Sequence, residues 1–132
     1  MSGAPEYRRV LLKLSGEVLG GKSGLGIEPA VLERLAGEIA EAARLGVKVG
    51  IVAGGGNFLR GASFADQGRN RVAGDQMGML GTIMNAIAFR EALARREVPV
   101  RMFSAVPVPT ICETFTQRDA ELAFEAGEGL LF

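Results

Sequence analysis

The sequence contains no histidine. A histidine general base, a Ser-His-Asp arrangement and a His–Cys zinc site are therefore excluded. Cysteine is almost absent too. Cys112 stands alone, so no intrachain disulfide can form, which fits a reducing compartment. Neither sign of charge is in excess, since 15 Lys and Arg stand against 15 Asp and Glu. A sequence-independent polyanion binder needs a basic surplus, so nucleic acid is not an expected partner, and charge must be used locally. No apolar run approaches the roughly 18 residues of a membrane span. The start, Met1 to Arg9, carries charge but lacks the apolar centre of a secretory signal. A soluble, cytoplasmic protein with no membrane partner is expected.

What remains is a chain of 132 residues, long enough for one domain with a core, and apolar enough at 48% to be globular. Arg8 to Leu14 reads as a buried strand, and Ser15 to Ile27 as a loop rich in glycine. Pro29 suits the first turn of a helix, and apolar spacing carries that helix to Leu45, where Gly46 stops it. Val47 to Ala53 is a second strand. Asn70 caps a long helix from about Arg71 to Arg96, with a stripe of Ala73, Met77, Leu80, Ile83, Met84, Ile87 and Ala88. Gly74, Gly78 and Gly81 give that helix a flat face that a helix or a ligand could approach. Val98 to Ala105 is a third strand, Pro107 and Pro109 mark a loop, and Thr116 to Asp119 outlines a capping box before a short helix. Leu130 to Phe132 starts a fourth strand. Strands alternating with helices predict an α/β fold with a parallel sheet covered on both faces, whose ligands bind at the C-terminal strand ends.

Two glycine turns fall at that edge. The second strand runs into Gly54-Gly55-Gly56-Asn57-Phe58-Leu59-Arg60. Bare backbone N–H groups in such a turn make a concave anion site, and Arg60 adds a fork suited to phosphate. The first strand ends in Lys13-Leu14-Ser15-Gly16. A lysine at the end of a buried strand must meet a carboxylate or a phosphate, unless it snorkels to solvent. Together the turns point to a nucleotide or phosphoryl-transfer site. Gly16 to Ser23 also satisfies G-x-x-x-x-G-K-S, but Gly24, Gly26 and Pro29 follow at once, so Lys22 and Ser23 cannot open a helix as a P-loop requires. The glycine triplet likewise misplaces the third glycine of a dinucleotide fingerprint. Asp75, near the helix start, is either a dipole-favoured carboxylate or an acceptor for sugar hydroxyls. Cys112 reads as a small buried hydrophobe, and Met77, Met79 and Met84 as core or subunit interface.

Lys13 to Glu17, Gly24 to Ile27, Gly54 to Gly61 and Arg71 to Leu80 together resemble the bacterial UMP kinases (uridylate kinases) of the amino-acid kinase superfamily. The glycine triplet is common to the superfamily, whereas Gly74 to Leu80 is particular to the uridylate branch. The resemblance runs from about Tyr7 to the last residue. It implies a three-layer αβα sandwich with a mainly parallel sheet, and transfer of the ATP γ-phosphoryl group to UMP with Mg²⁺, in pyrimidine nucleotide synthesis. Lys13 and Arg60 would be catalytic. Lys13, Leu14, Ser15, Gly16, Gly56 and Arg60 would bind ATP, and Gly55 and Asp75 would bind UMP. Gly21, Lys22, Ser23, Gly24, Leu25 and Gly26 match a segment tied to activation by GTP. No residue of this chain is assigned to a metal. The family forms cytoplasmic homohexamers inhibited by UTP.

The family's chain continues for about as many residues again. The resemblance therefore makes residues 1–132 the N-terminal part of a single amino-acid kinase domain, apparently truncated. Half the active site would be missing, Lys13 would lack its partner carboxylate, and a sheet edge would be open. Two alternatives stand. Another kinase of the superfamily is opposed by the helix around Asp75. A non-catalytic nucleotide-binding or storage protein on the same fold is opposed by Lys13 and Arg60.

Overall fold

The computed structural model describes residues 3–59 and 65–132. The elements are β1 (Arg9–Leu14), α1 (Gly16–Leu19), α2 (Pro29–Arg44), β2 (Lys48–Ala53), α3 (Arg71–Ala94), β3 (Val100–Ser104), β4 (Glu113–Thr114), α4 (Gln117–Glu125) and β5 (Gly129–Leu131). The strands form one sheet in the order β1-β2-β5-β3-β4, and every pairing is parallel. No helix among the described residues is long and apolar enough to cross a membrane.

Alternation along the strands sorts side chains between two layers. Leu12 and Leu14 of β1, Val49, Ile51 and Ala53 of β2, Met102 of β3 and Leu131 of β5 belong to one core with α2 and α3. Phe103 of β3 and Leu130 of β5 point the other way, into a smaller core with Ala120 and Ala123 of α4. Helices therefore lie on both faces, and the expected three-layer α/β sandwich is present. The face carrying α4 is only partly covered. Gly50 of β2 faces Phe124 there, while Leu11 of β1 stays 68% exposed.

Chain reversals follow from local chemistry. Pro29 occupies the first turn of α2. The Asn70 side chain accepts from the Val72 and Ala73 N–H groups and caps α3. Helices α2, α3 and α4 end with the same backbone bond: Val47, Val98 and Glu128 N–H donate to the carbonyls of Ala42, Leu93 and Ala123. This closure needs a left-handed residue. Gly46 and Gly127 supply it at φ 86° and 85°, but after α3 the residue is Glu97, at φ 59°. A Cβ in that conformation costs about 1 kcal/mol or more. Glu97→Gly is expected to raise the unfolding free energy by about 1 kcal/mol, read as a higher urea midpoint at unchanged slope.

Several expectations need correction. Ser15 to Ile27 is not all loop, because its first residues form the single turn α1. The first strand is not buried. It is an edge strand, with most of its residues exposed. The third strand is shorter than Val98 to Ala105, and β4 was not foreseen. The last strand enters the middle of the sheet, between β2 and β3, so the open edges are β1 and β4. The methionine stripe is not core. Met77, Met79, Leu80 and Met84 are each about half exposed, and α3 is buried instead through Gly74, Gly81, Ile83, Asn85, Ala86, Phe89, Ala92 and Leu93. The capping box is half formed. Thr116 Oγ accepts from the Asp119 N–H, but the shorter Asp119 side chain takes the Thr116 hydroxyl rather than its N–H.

Candidate functional site

Lys13 lies opposite Val52 and Leu14 opposite Ala53 in the β1–β2 register, so the two glycine turns leave the sheet side by side. They are joined directly, with the Gly54 N–H donating to the Leu14 carbonyl at 2.9 Å. A Cβ on Gly16 would lie 2.5 Å from the Gly54 carbonyl oxygen, a separation only glycine permits. The Gly54 N–H is thus already used. The cradle expected of three glycines reduces to the N–H groups of Gly55 and Gly56, for which no acceptor is in place among the described residues.

Gly55 presses on α3. A Cβ there would stand 2.3 Å from the Gly78 carbonyl oxygen and 3.1 Å from the Thr82 nitrogen. Gly78 and Gly81 of the flat glycine face of α3 therefore meet the glycine turn of the same chain. Behind the turn two amides close a ring. Asn57 Nδ2 donates to Asn85 Oδ1 at 3.0 Å, and Asn85 Nδ2 donates to Asn57 Oδ1 at 2.8 Å. Neither Asn57 nor Asn85 is a candidate site residue on sequence grounds. A lone asparagine among apolar residues of a helix is the signal that could have found Asn85.

An open groove of about 580 Å³ is lined by Ser15 and Gly56 together with the 21–25 loop. Residues matched to ATP phosphates and residues matched to the GTP-linked segment thus share one surface. Left-handed Gly21, Gly24 and Gly26 shape the loop. Ser23 Oγ donates to the Gly20 carbonyl and accepts from the Leu25 N–H. Lys22 and Ser23 open no helix, since α2 begins only at Pro29. A second, mostly apolar cavity of about 890 Å³ lies at the ends of β2 and β3, with Val52, Ala53, Met79, Ser104, Phe115 and Phe132 in its lining.

Lys13 is exposed and has no ion-pair partner among the described residues. The premise that burial forces a counter-charge on it does not hold. The reason is that β1 is an edge strand, whose outer face is open to solvent. Asp75 is exposed on α3 and accepts from Arg71 Nε at 2.9 Å. An exposed i,i+4 pair contributes only about 0.3–0.5 kcal/mol, so Asp75 can exchange this partner for a ligand's hydroxyl at little cost. Arg60 lies outside the described residues. Among those residues no group of three His, Cys, Asp or Glu side chains is placed to hold a metal ion.

Cys112 is buried in the α2–α3 core, as expected. Burial pushes its thiol above the ordinary range, Arg90 opposes this, and Glu113 adds to it. On unfolding, the thiol ionises at lower pH than in the native chain. Between those two values the native state holds more protons, so stability falls as pH rises past the ordinary thiol range of about 8.5. The thiol should react with a disulfide reagent only slowly in the native chain at pH 8 and promptly in urea. Equal rates would show that the native chain does not shield it.

Comparison with known proteins agrees with this geometry. Residues 8–128 match the model of the amino acid kinase family. The uridylate kinase of Aeromonas salmonicida is 53% identical over 128 residues, which cover 97% of this chain and 52% of that protein. That of Vibrio campbellii is 51% identical, with 97% and 53% covered. Among solved structures, a UMP kinase from Bacillus anthracis superposes with a TM-score of 0.89 at 35% identity, over 96% of this chain and 52% of the other. The chain thus spans about half the length of the curated relatives it matches. The match along nearly all of its residues places it: the chain belongs to the amino acid kinase family.

Proposed function

We propose that this chain carries the phosphate-handling part of a UMP kinase, which transfers the γ-phosphoryl group of Mg-ATP to UMP and yields ADP and UDP. The observation that carries this reading is the fusion of the Lys13–Gly16 and Gly54–Gly56 turns at one sheet edge, beside a groove lined by Gly56, whose N–H meets no acceptor among the described residues. Identity of 51–53% to proteins named uridylate kinase supports UMP as the acceptor.

Phosphoryl transfer needs positioning and charge neutralisation more than covalent chemistry. A UMP phosphate oxygen attacks the γ-phosphorus, the bond to the bridging oxygen breaks, and ADP leaves with that electron pair. The Gly55 and Gly56 N–H groups would hold phosphate oxygens at fixed positions, and Lys13 and Arg60 would neutralise charge as it develops. Asp75 would accept from the UMP ribose. Mg²⁺ would enter with ATP, its shell filled largely by phosphate oxygens and water. A role in pyrimidine synthesis in the cytoplasm, hexamer formation, and regulation by GTP and UTP belong to the same reading.

The test is ADP release with Mg-ATP and UMP, with CMP in parallel. It is run on this chain and on a chimera completed by the C-terminal half of the Aeromonas salmonicida relative. Preference for UMP in either form supports the reading. A chimera that prefers CMP, or that binds Mg-ATP without phosphorylating UMP, would overturn it.

A further inference from the structure

We propose that the Asn57–Asn85 amide pair is a positioning clamp for the phosphate groove, without which the groove does not hold its nucleotide. The proposal rests on the reading of that groove as an Mg-ATP phosphate site. Asn57 and Asn85 are 2% and 0% exposed, the only polar side chains fully enclosed among the described residues. Their orientations are fixed from outside the pair. Asn57 Nδ2 donates to the Gly26 carbonyl at 2.8 Å and Asn85 Nδ2 to the Gly54 carbonyl at 2.7 Å, so neither amide can be reversed without setting oxygen against oxygen. No buried side-chain polar atom among the described residues is left without a partner.

Asn85 is buried on α3, whose other buried residues, Ile83, Ala86 and Phe89 among them, are apolar. Replacing two bonded polar partners by apolar groups of the same shape is often nearly neutral for stability. Bulk stability therefore does not explain a fully satisfied amide ring, whereas its directionality does. Three segments distant in sequence meet in it: the 54–57 turn, the end of the 21–26 loop, and the middle of α3. Gly26 is held at two points, because its N–H also donates to the Asn57 carbonyl at 2.9 Å. Gly56 then lies between two pinned residues, Gly54 and Asn57. The direction of its N–H, and the distance from it to the loop across the groove, are set by the pair. Asn57 and Asn85 touch no reacting atom in this arrangement. They act through Gly54, Gly26 and Gly56.

The experiment measures Mg-ATP binding by calorimetry and amide exchange by NMR, on this chain and on Asn57→Leu and Asn85→Leu. In the variants Mg-ATP affinity should fall at least tenfold, and the Gly26 N–H should exchange at least tenfold faster. The Ile51 and Phe89 amides should keep their protection, which a general loosening of the fold would not allow. In the unaltered chain, the side-chain NH₂ resonances of both asparagines should shift on Mg-ATP addition with the same midpoint as the Gly56 N–H. This arm remains informative if a variant fails to fold. Variants that bind Mg-ATP within twofold of the parent, or asparagine resonances that do not respond, would overturn the clamp alone. Failure of both the unaltered chain and the completed chimera to bind Mg-ATP would overturn the groove reading and the clamp with it.

Discussion

Lys13→Ala is expected to slow phosphoryl transfer to UMP by about 100- to 1000-fold in the completed chimera, the loss typical when one preorganised donor to a developing charge is removed. The fold should be untouched. Lys13 is exposed on an edge strand and has no ion-pair partner among the described residues, and a substitution of that kind changes stability by about 0.5 kcal/mol or less. A collapse of kcat at an unchanged unfolding midpoint would therefore report chemistry rather than structure. Lys13→Arg should not restore the rate. Its rigid fork presents charge at a different reach and geometry from a compact ammonium. Turnover within threefold of the parent in Lys13→Ala would remove the residue from the site.

Gly55→Ala has the opposite character, since its effect should be on the fold itself. The added methyl would meet the Gly78 carbonyl oxygen at 2.3 Å, with the Thr82 nitrogen and the Gly81 carbonyl carbon at 3.1 and 3.2 Å. All three are backbone atoms of α3, so no side chain can rotate aside. Either the turn lifts away from the helix or the helix bends. Overpacking without relief costs about 3 kcal/mol or more, a large part of the stability of a domain this size. Gly54→Ala is the control. Its nearest contact is the Gly16 nitrogen at 3.2 Å, with Leu14 oxygen at 3.8 Å, so a small shift accommodates it. A Gly55→Ala chain as stable as the Gly54→Ala chain in urea would contradict the packing described.

The regular elements were legible because their signals are local. Pro29, Gly46 and Asn70 set helix ends through covalent geometry or a side chain reaching its neighbours, and the structure places them at those ends. The apolar run of β2 likewise needs no knowledge of the rest of the chain. Reading failed where burial depends on what lies across the gap. Leu11 and Met84 have the composition of core residues, yet they face outward because nothing described covers them. Asn85 and Gly81 have the composition of a surface or a breaker, yet they are buried because a glycine turn docks on them. A scale that scores each residue by its own hydrophobicity assigns the face of α3 wrongly in both directions.

The candidate site divides in the same way. Residue types alone determined that these 132 residues contribute no histidine and no intrachain disulfide, and that glycine turns with Lys13 and Arg60 suit phosphate. Sequence order also placed both turns after strands, and hence at the same edge of a parallel sheet. Only the tertiary structure decided that β1 and β2 are neighbours, so that one turn donates to the other. It alone decided that β5 enters the sheet between β2 and β3, that Lys13 is exposed, and that the 21–25 loop shares a groove with Gly56. The physical reason is that turns and caps are fixed by forces acting over a few residues. Strand order, burial and the meeting of Gly26, Asn57 and Asn85 depend on contacts between segments more than twenty residues apart, which no local pattern encodes.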